Sequence, residues 1–470
     1  MTTFESVLII SLVFGFYAAW NIGANDVSNA MGTSVGSKAL TLRQAVIIAA
    51  IFEFVGAVFF GSYVSETLQR GIVNSDAFAH NPMILVHGML AALLASGLWL
   101  QVATYFGLPV STTHTIVGAI VGFGAVIGGV EAIFWDHVTF IAFSWITSPL
   151  LGAVTSFLLF SFLRKYIFYN PHPFEATKRA LPWITGAMIA VFSSICLWKS
   201  LAPGASFLAR SCLVILIAAV GALIVFLLVK KLSIPQAVAP GGDHSDPVVV
   251  DALEKAKKYL VRAKEASRGT LQFHINDLVD EVESCRANVT QGSQVEHINT
   301  EFYWVERIFA VLQIISACLM AFSHGANDVA NAIGPLAAIV SILETGSTSF
   351  TSSLPTWVLA IGGFGIVVGL ATWGWRVIET IGKKITELTP SRGFAAEFGT
   401  ALIVLLASRL GCPISTTHTL VGAVLGVGFA GGIGSLNLKV LRDIILAWLV
   451  TIPGGALLSI LCYYLISYVL

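Results

Sequence analysis

Two short blocks rich in aspartate, asparagine and hydroxyl side chains each occur twice in this chain. Gly23-Ala-Asn-Asp-Val-Ser-Asn-Ala-Met-Gly32 returns as Gly325-Ala-Asn-Asp-Val-Ala-Asn-Ala-Ile-Gly334, with eight identities in ten. Gly107-Leu-Pro-Val-Ser-Thr-Thr-His-Thr-Ile-Val-Gly-Ala-Ile-Val-Gly122 returns as Gly411-Cys-Pro-Ile-Ser-Thr-Thr-His-Thr-Leu-Val-Gly-Ala-Val-Leu-Gly426, with eleven in sixteen. The offsets of 302 and 304 residues agree, so both order and spacing are kept, as in a duplicated unit.

Asp26 and Asp328 stand at the ends of apolar runs at equivalent places in the two copies. A carboxylate in hydrocarbon is costly, so a matched pair points to use. Asn25 and Asn29 flank the first, and Asn327 and Asn331 the second. Such hard oxygens suit a hard cation, with Asp26 and Asp328 as Na+ ligands. Gly23 and Gly325 supply backbone freedom for a helix break, after which a new half-helix is expected to start. The competing reading is a helix cap or a packing contact.

In the second block, Pro109 and Pro413 end what precedes them, and Ser111 and Ser415 are good helix N-caps. Ser111, Thr112, Thr113 and their counterparts Ser415, Thr416 and Thr417 then place hydroxyls beside unpaired helix N–H groups, which is an anion cradle. Two such cradles facing each other would share one tetrahedral oxyanion. For each hydroxyl the alternative is a bond to its own helix one turn back. His114 and His418 stay open between satisfied packing residues and ligands or proton carriers. No Lys or Arg lies inside either block, so bound cations must balance the anion, and cation and anion stabilise each other's binding. Ser and His three apart on a helix also suit a hydrolase, but no G-x-S-x-G elbow accompanies them and the pair is duplicated. Co-transport of cation and anion, symport, is the expectation that follows, and a channel is the other alternative to it.

Two more acids sit in apolar surroundings, Glu53 in Ile-Phe-Glu-Phe and Glu397 in Phe-Ala-Ala-Glu-Phe. They do not align with each other; Ile366 falls opposite Glu53. Each belongs to one half only, as a buried acid with a polar neighbour or as part of the transport path.

The elements that position these groups must be membrane spans. The 470 residues are 56% hydrophobic and 11% charged, far from the roughly 25% charged of a soluble chain. Apolar runs such as Val46–Phe60, Phe140–Phe162 and Leu208–Val229 reach or approach the ~20 residues that cross a bilayer. Net charge is zero and no basic cluster recurs, which argues against a nucleic-acid partner. No removable signal is expected at the N-terminus, and the six cysteines show no metal spacing. The expected organisation is a transmembrane repeat at 1–165, two connecting helices at 166–232, a soluble insert at 233–302 and a second transmembrane repeat at 303–470. Charges cluster in the insert, and Asp251 to Glu283 has helical spacing, so it reads as soluble helices. Arg164, Lys165, Lys178 and Arg179 share one short loop, and Lys230 and Lys231 open the insert, so both connectors are placed in the cytoplasm. Both termini, which lack Lys and Arg, then lie outside, and the repeat is inverted.

Gly-Ala-Asn-Asp-Val-x-Asn-Ala together with Pro-x-Ser-Thr-Thr-His, in both halves, resembles the inorganic phosphate transporter (PiT) family of sodium or proton phosphate symporters. The resemblance covers both repeats and leaves out the insert. It implies an all-α integral membrane protein of about 12 segments in two inverted repeats with discontinuous helices. It also implies a homodimer, no organic cofactor, Na+ or H+ as coupling ion, and phosphate near midplane. The phosphate site it implies is the two Ser-Thr-Thr clusters and, as a weaker match, Gln44, and Asn25 and Asn327 of the first motif are expected to join it. The coupling residues it implies are Asp26, Asp328, Glu53, Glu397 and His324, with Asn29 and Asn331 expected beside them from the motif itself. Proton-coupled phosphate or sulfate permeases are the nearest alternative. A bacterial inner membrane and an organelle envelope fit the spans equally.

Overall fold

A chain that must satisfy every backbone N–H and C=O without water can do so within helices, and this one does. The computed structural model describes residues 3–197, 206–232, 247–266, 275–276, 278–284, 295–350, 354–379, 388–431 and 438–470. Among them the helices are α1 (Thr3–Gly36), α2 (Leu42–Phe60), α3 (Ser62–Arg70), α4 (Pro82–Tyr105), α5 (Thr112–Ile127), α6 (Trp135–Leu163), α7 (Pro173–Leu197) and α8 (Phe207–Val229). They continue as α9 (Pro247–Ala266), α10 (Val295–Thr345), α11 (Thr356–Trp373), α12 (Trp375–Glu379), α13 (Pro390–Arg409), α14 (Thr416–Gly431) and α15 (Leu438–Val469). The described residues hold no strand, only one isolated bridge between Val73 and Ile133.

Ten of these helices are long and apolar enough to cross a membrane, while α5 and α14 fall short at 16 residues each. Both short helices follow a tight turn containing a left-handed glycine, Gly107 at φ 64° and Gly411 at φ 68°. Each pair, α4 with α5 and α13 with α14, is therefore a broken hairpin, and the break expected at Pro-x-Ser-Thr-Thr is present. Ser111 caps α5 by accepting from the His114 N–H at 3.2 Å, and Ser415 caps α14 from the His418 N–H at 3.2 Å.

The break expected at the Asn-Asp blocks is absent. α1 runs unbroken for 34 residues and α10 for 51, straight through Asp26 and Asp328. Their glycines serve close approach instead. A Cβ on Gly23 would strike the Ile366 carbonyl oxygen of α11, and one on Gly325 would strike the Glu53 carbonyl oxygen of α2. The two contacts are counterparts, and each joins one half of the chain to the other.

The same exchange recurs at the half-helices. α5 lies on α15, with Gly118 against the Ile452 carbonyl, and α14 lies on α6, with Gly422 against the Pro149 carbonyl. The two halves are interlaced rather than stacked as two lobes. They lie in one compact unit, Met1–Lys165, Ile184–Gly221 and Glu306–Leu470. Its core includes Phe78, Phe123, Met89 and Leu90 of the first half and Ile333 and Leu336 of the second.

A smaller unit comprises Tyr166–Trp183 and Ala222–Val305. In it the Phe168 and Phe302 rings stack at 6.1 Å, and the Phe174 N–H donates to Glu301 at 3.2 Å. The helical reading of the insert holds where it is described, in α9 and in residues 278–284. Ala239 to Pro247, whose prolines and glycines make a flexible linker the expectation from sequence, lies, but for Pro247 itself, outside the described residues.

Candidate functional site

The unbroken α1 and α10 bring Asp26 and Asp328 against the two hairpin turns. Both carboxylates are fully buried. The Thr112 hydroxyl donates to Asp26 Oδ2 at 2.7 Å, and the Thr416 hydroxyl donates to Asp328 Oδ2 at 2.6 Å. Hydrogen bonds to a charged group are worth about 1.5–3 kcal/mol each, and they offset part of the cost of burying the acid. Bonds also cross between the halves. Asn29 Nδ2 donates to Thr417 Oγ1 at 2.8 Å and to Thr416 Oγ1 at 3.2 Å. Asn331 Nδ2 donates to Thr112 Oγ1 at 3.1 Å and to Thr113 Oγ1 at 3.2 Å. Thr417 reaches Asp26 Oδ1 at 3.3 Å.

His324, one turn before Asp328, ties a third acid into this network. Its Nε2 lies 2.9 Å from Asp328 Oδ2 and 3.9 Å from Asp26 Oδ2, while its Nδ1 lies 3.3 Å from Glu53 Oε1. One imidazole thus sits among three buried carboxylates. Ligand atoms of Asp26, His324 and Asp328 lie within 4.8 Å of one another, close enough to hold one ion. Oδ1 of Asn29, Oδ1 of Asn331 and Oε2 of Glu53 are buried without a hydrogen-bond partner. Lone pairs left open in this way fit cation coordination rather than an anion.

Beside these acids lie the two half-helix starts. Thr113 donates to the Ile414 carbonyl at 3.0 Å and Thr417 to the Val110 carbonyl at 3.2 Å, so each turn is fastened to the other half's turn. The first-turn N–H groups of α5 and α14 are thereby held close together, with hydroxyls beside them. Behind them His114 and His418 meet with ring centroids 4.3 Å apart, flanked by Trp145 at 4.0 Å and Trp448 at 3.6 Å. No Lys or Arg takes part in these bonds.

Not every expected residue joins. Ser111 and Ser415 are engaged as caps of their own helices. Asn25 braces the turn, donating to Thr104 Oγ1 at 3.0 Å and the Leu108 carbonyl at 3.1 Å while accepting from the Val110 N–H at 3.2 Å. Asn327 meets the Ser408 hydroxyl at 3.1 Å in the matching place. Glu397 has its own network, accepting from Ser34 at 2.6 Å, Ser316 at 2.9 Å and Thr33. Gln44 is exposed in the capping box that starts α2, with its Oε1 accepting from the Thr41 N–H at 3.0 Å, and it does not reach the site. Sequence reasoning overlooked Thr104, Ser408, Thr33, Ser34 and Ser316. Thr104 and Ser408 are signalled by the repeat itself, as polar side chains at matching positions in two apolar helices.

Ten helices long and apolar enough to cross a membrane, with paired acids and paired half-helix starts at their crossing, mark a multi-pass membrane protein of the transporter class. Residues 22–459 match the family described as the phosphate transporter family, and the chain belongs to it. It is a phosphate transporter and not an enzyme. Over 465 residues it is 46% identical to the inorganic phosphate transporter 2-1, chloroplastic, of Arabidopsis thaliana, covering 98% of this chain and 72% of that protein. It is 45% identical to a putative phosphate permease of Chlamydia pneumoniae, covering 97% and 98%. A solved structure described as the sodium-dependent phosphate transporter superposes with a TM-score of 0.79 at 37% identity, covering 99% of this chain and all of that one.

Proposed function

We propose that this protein moves inorganic phosphate by symport with Na+ through alternating access. The observation that carries the reading is the grouping of three buried carboxylates and two open asparagine oxygens, with no Lys or Arg bonded to them, beside two facing half-helix starts. Such a site has a surplus of negative charge before any phosphate arrives, and only cations can offset it. The sodium-dependent phosphate transporter among its structural relatives supports the same ion.

In this reading Asp26, Asp328, Asn29 and Asn331 take the cations. Thr112, Thr113, Thr416, Thr417 and the first-turn N–H groups take phosphate, with Asn25 and Asn327 holding the turns and Ser111 and Ser415 the caps. Glu53, His324 and Glu397 tune or relay the coupling. The inverted arrangement of the halves, their boundaries at 1–165 and 303–470, external termini, a cytoplasmic insert, the cell membrane as location and a homodimer belong to the same proposal. Proton coupling is the second reading, and His324 among three acids is what favours it, because an imidazole there can pass a proton between carboxylates.

Proteoliposomes holding the purified protein, loaded with K+ and offered labelled phosphate, test the two. Accumulation driven by an inward Na+ gradient at equal pH is the expected result. Accumulation driven by a pH gradient in the absence of Na+, and indifferent to added Na+, would overturn sodium symport in favour of the proton.

A further inference from the structure

The polar ends of α7 and α8 frame a crevice of about 630 Å³, remote in sequence from the duplicated blocks. Its deeper wall is apolar. Leu223 and Phe226 of α8 are 56% and 52% exposed, and Trp183 of α7 is 80% exposed. Both helices have the length and composition of membrane spans, so such faces look into hydrocarbon. Its rim is basic, carrying Lys178 and Arg179 from the start of α7 and Lys230 just past the end of α8.

Charge at the rim is not balanced from within. Glu175 is its one acid, and that carboxylate is taken up by Lys178 at 3.2 Å. The Arg179 Nε donates only to the Glu175 backbone carbonyl, at 3.4 Å. Among the described residues neither Arg179 nor Lys230 forms an ion pair. Two unbalanced cations therefore stand about one to two helical turns from an open apolar slot, in register with the boundary between headgroups and chains.

We propose that this crevice binds an anionic phospholipid, with the phosphodiester held by Arg179 and Lys230 and an acyl chain lying along Leu223 and Phe226 beside the Trp183 indole. Charge complementarity selects an anionic headgroup over a zwitterionic one, whose own ammonium would meet the same cations. The apolar wall selects a lipid over free phosphate, which would leave that wall unfilled. Trp183, with one face wet and one apolar, is the side chain suited to that depth.

The full-length transporter, purified in detergent and titrated with phosphatidylglycerol or phosphatidylcholine, provides the test by native mass spectrometry. The expected result is a phosphatidylglycerol adduct that outlasts phosphatidylcholine on activation. The double variant R179Q/K230Q should weaken it by roughly 25-fold, as each cation near an anionic surface is worth about fivefold. The charge-keeping variant R179K/K230R should retain it, which separates lost charge from misfolding. Equal retention of both lipids, or undiminished phosphatidylglycerol binding by R179Q/K230Q, would overturn the proposal. So would displacement of the adduct by millimolar inorganic phosphate, which would make the crevice a solute site. Disulfide-linked dimers formed in membranes through Trp183→Cys would equally overturn it, because a second copy would then fill the slot.

Discussion

Asp26 and Asp328 are each held by a threonine of their own half, and the asparagines that orient those threonines come from the other half. Charge and shape are thus separable. Asp26→Asn or Asp328→Asn keeps the volume and removes the negative charge a cation needs. Labelled phosphate uptake should fall by about 100-fold or more in either variant, since the loss of one partner from a buried charge pair costs 3–5 kcal/mol, while the amount of protein in the membrane stays close to wild type. Normal uptake in both would sink the assignment. Thr112→Val and Thr416→Val remove one charged hydrogen bond each, about 1.5–3 kcal/mol. Half-saturation by phosphate should rise about tenfold or more in each variant, and an unchanged phosphate dependence would show these hydroxyls to be structural. The acids and hydroxyl runs were legible because each occurs twice in surroundings that penalise them. Glu397 shows what was not. Its hydroxyl partners, Thr33, Ser34 and Ser316, lie far away in sequence, and serine and threonine are common enough in apolar helices to carry no signal alone.

For the elements, the two motif types were read as helix breaks and only one of them is. Proline followed by a capping serine stops a helix and starts the next whatever surrounds it, which is why the turn before Thr112 was readable. Glycine has two uses, and the chain before it does not say which applies. At Gly107 and Gly411 φ is positive and the residue bends the chain, whereas Gly23 and Gly325 keep helical backbone and let another helix approach. The consequence is measurable. Gly325→Ala puts a methyl group into the Glu53 carbonyl, so α10 and α2 must separate. Because overpacking costs about 1–3 kcal/mol, we expect the midpoint of thermal unfolding in detergent to fall and uptake with it. Gly129→Ala, at a loop with open space around it but φ of 87°, should cost stability through backbone strain while leaving the sodium dependence of uptake unchanged. Equal kinetic damage in the two variants would remove the distinction.

The whole molecule is an exchange of partners. α1 lies on α11 and α2 on α10, and α5 lies on α15 while α14 lies on α6, so the closest helix contacts join one half to the other. Duplication was plain in the sequence, since two motifs kept order and spacing. Interlacing was not, because contacts between halves leave no mark on either half alone. Residues 1–232 and 233–470 expressed separately should each be degraded or aggregate, whereas their co-expression should restore phosphate uptake. A stable, monodisperse first half would contradict this.

Interlacing also sets a schedule for biogenesis. His324 and Asp328 are made about 300 residues after Asp26 and the α14 turn about 390 residues after it, which at 5–20 residues per second is a wait of roughly 15–80 s. Throughout that interval the first half lacks the Thr416 and Thr417 hydroxyls that Asn29 bonds, and Asp26 lacks Thr417 and His324. A first half that waits without its partner helices is less stable than the finished molecule, so a pause in translation within the insert lengthens the time it spends incomplete. Synonymous codon changes there should therefore alter the yield of transporter while leaving the finished molecule unchanged.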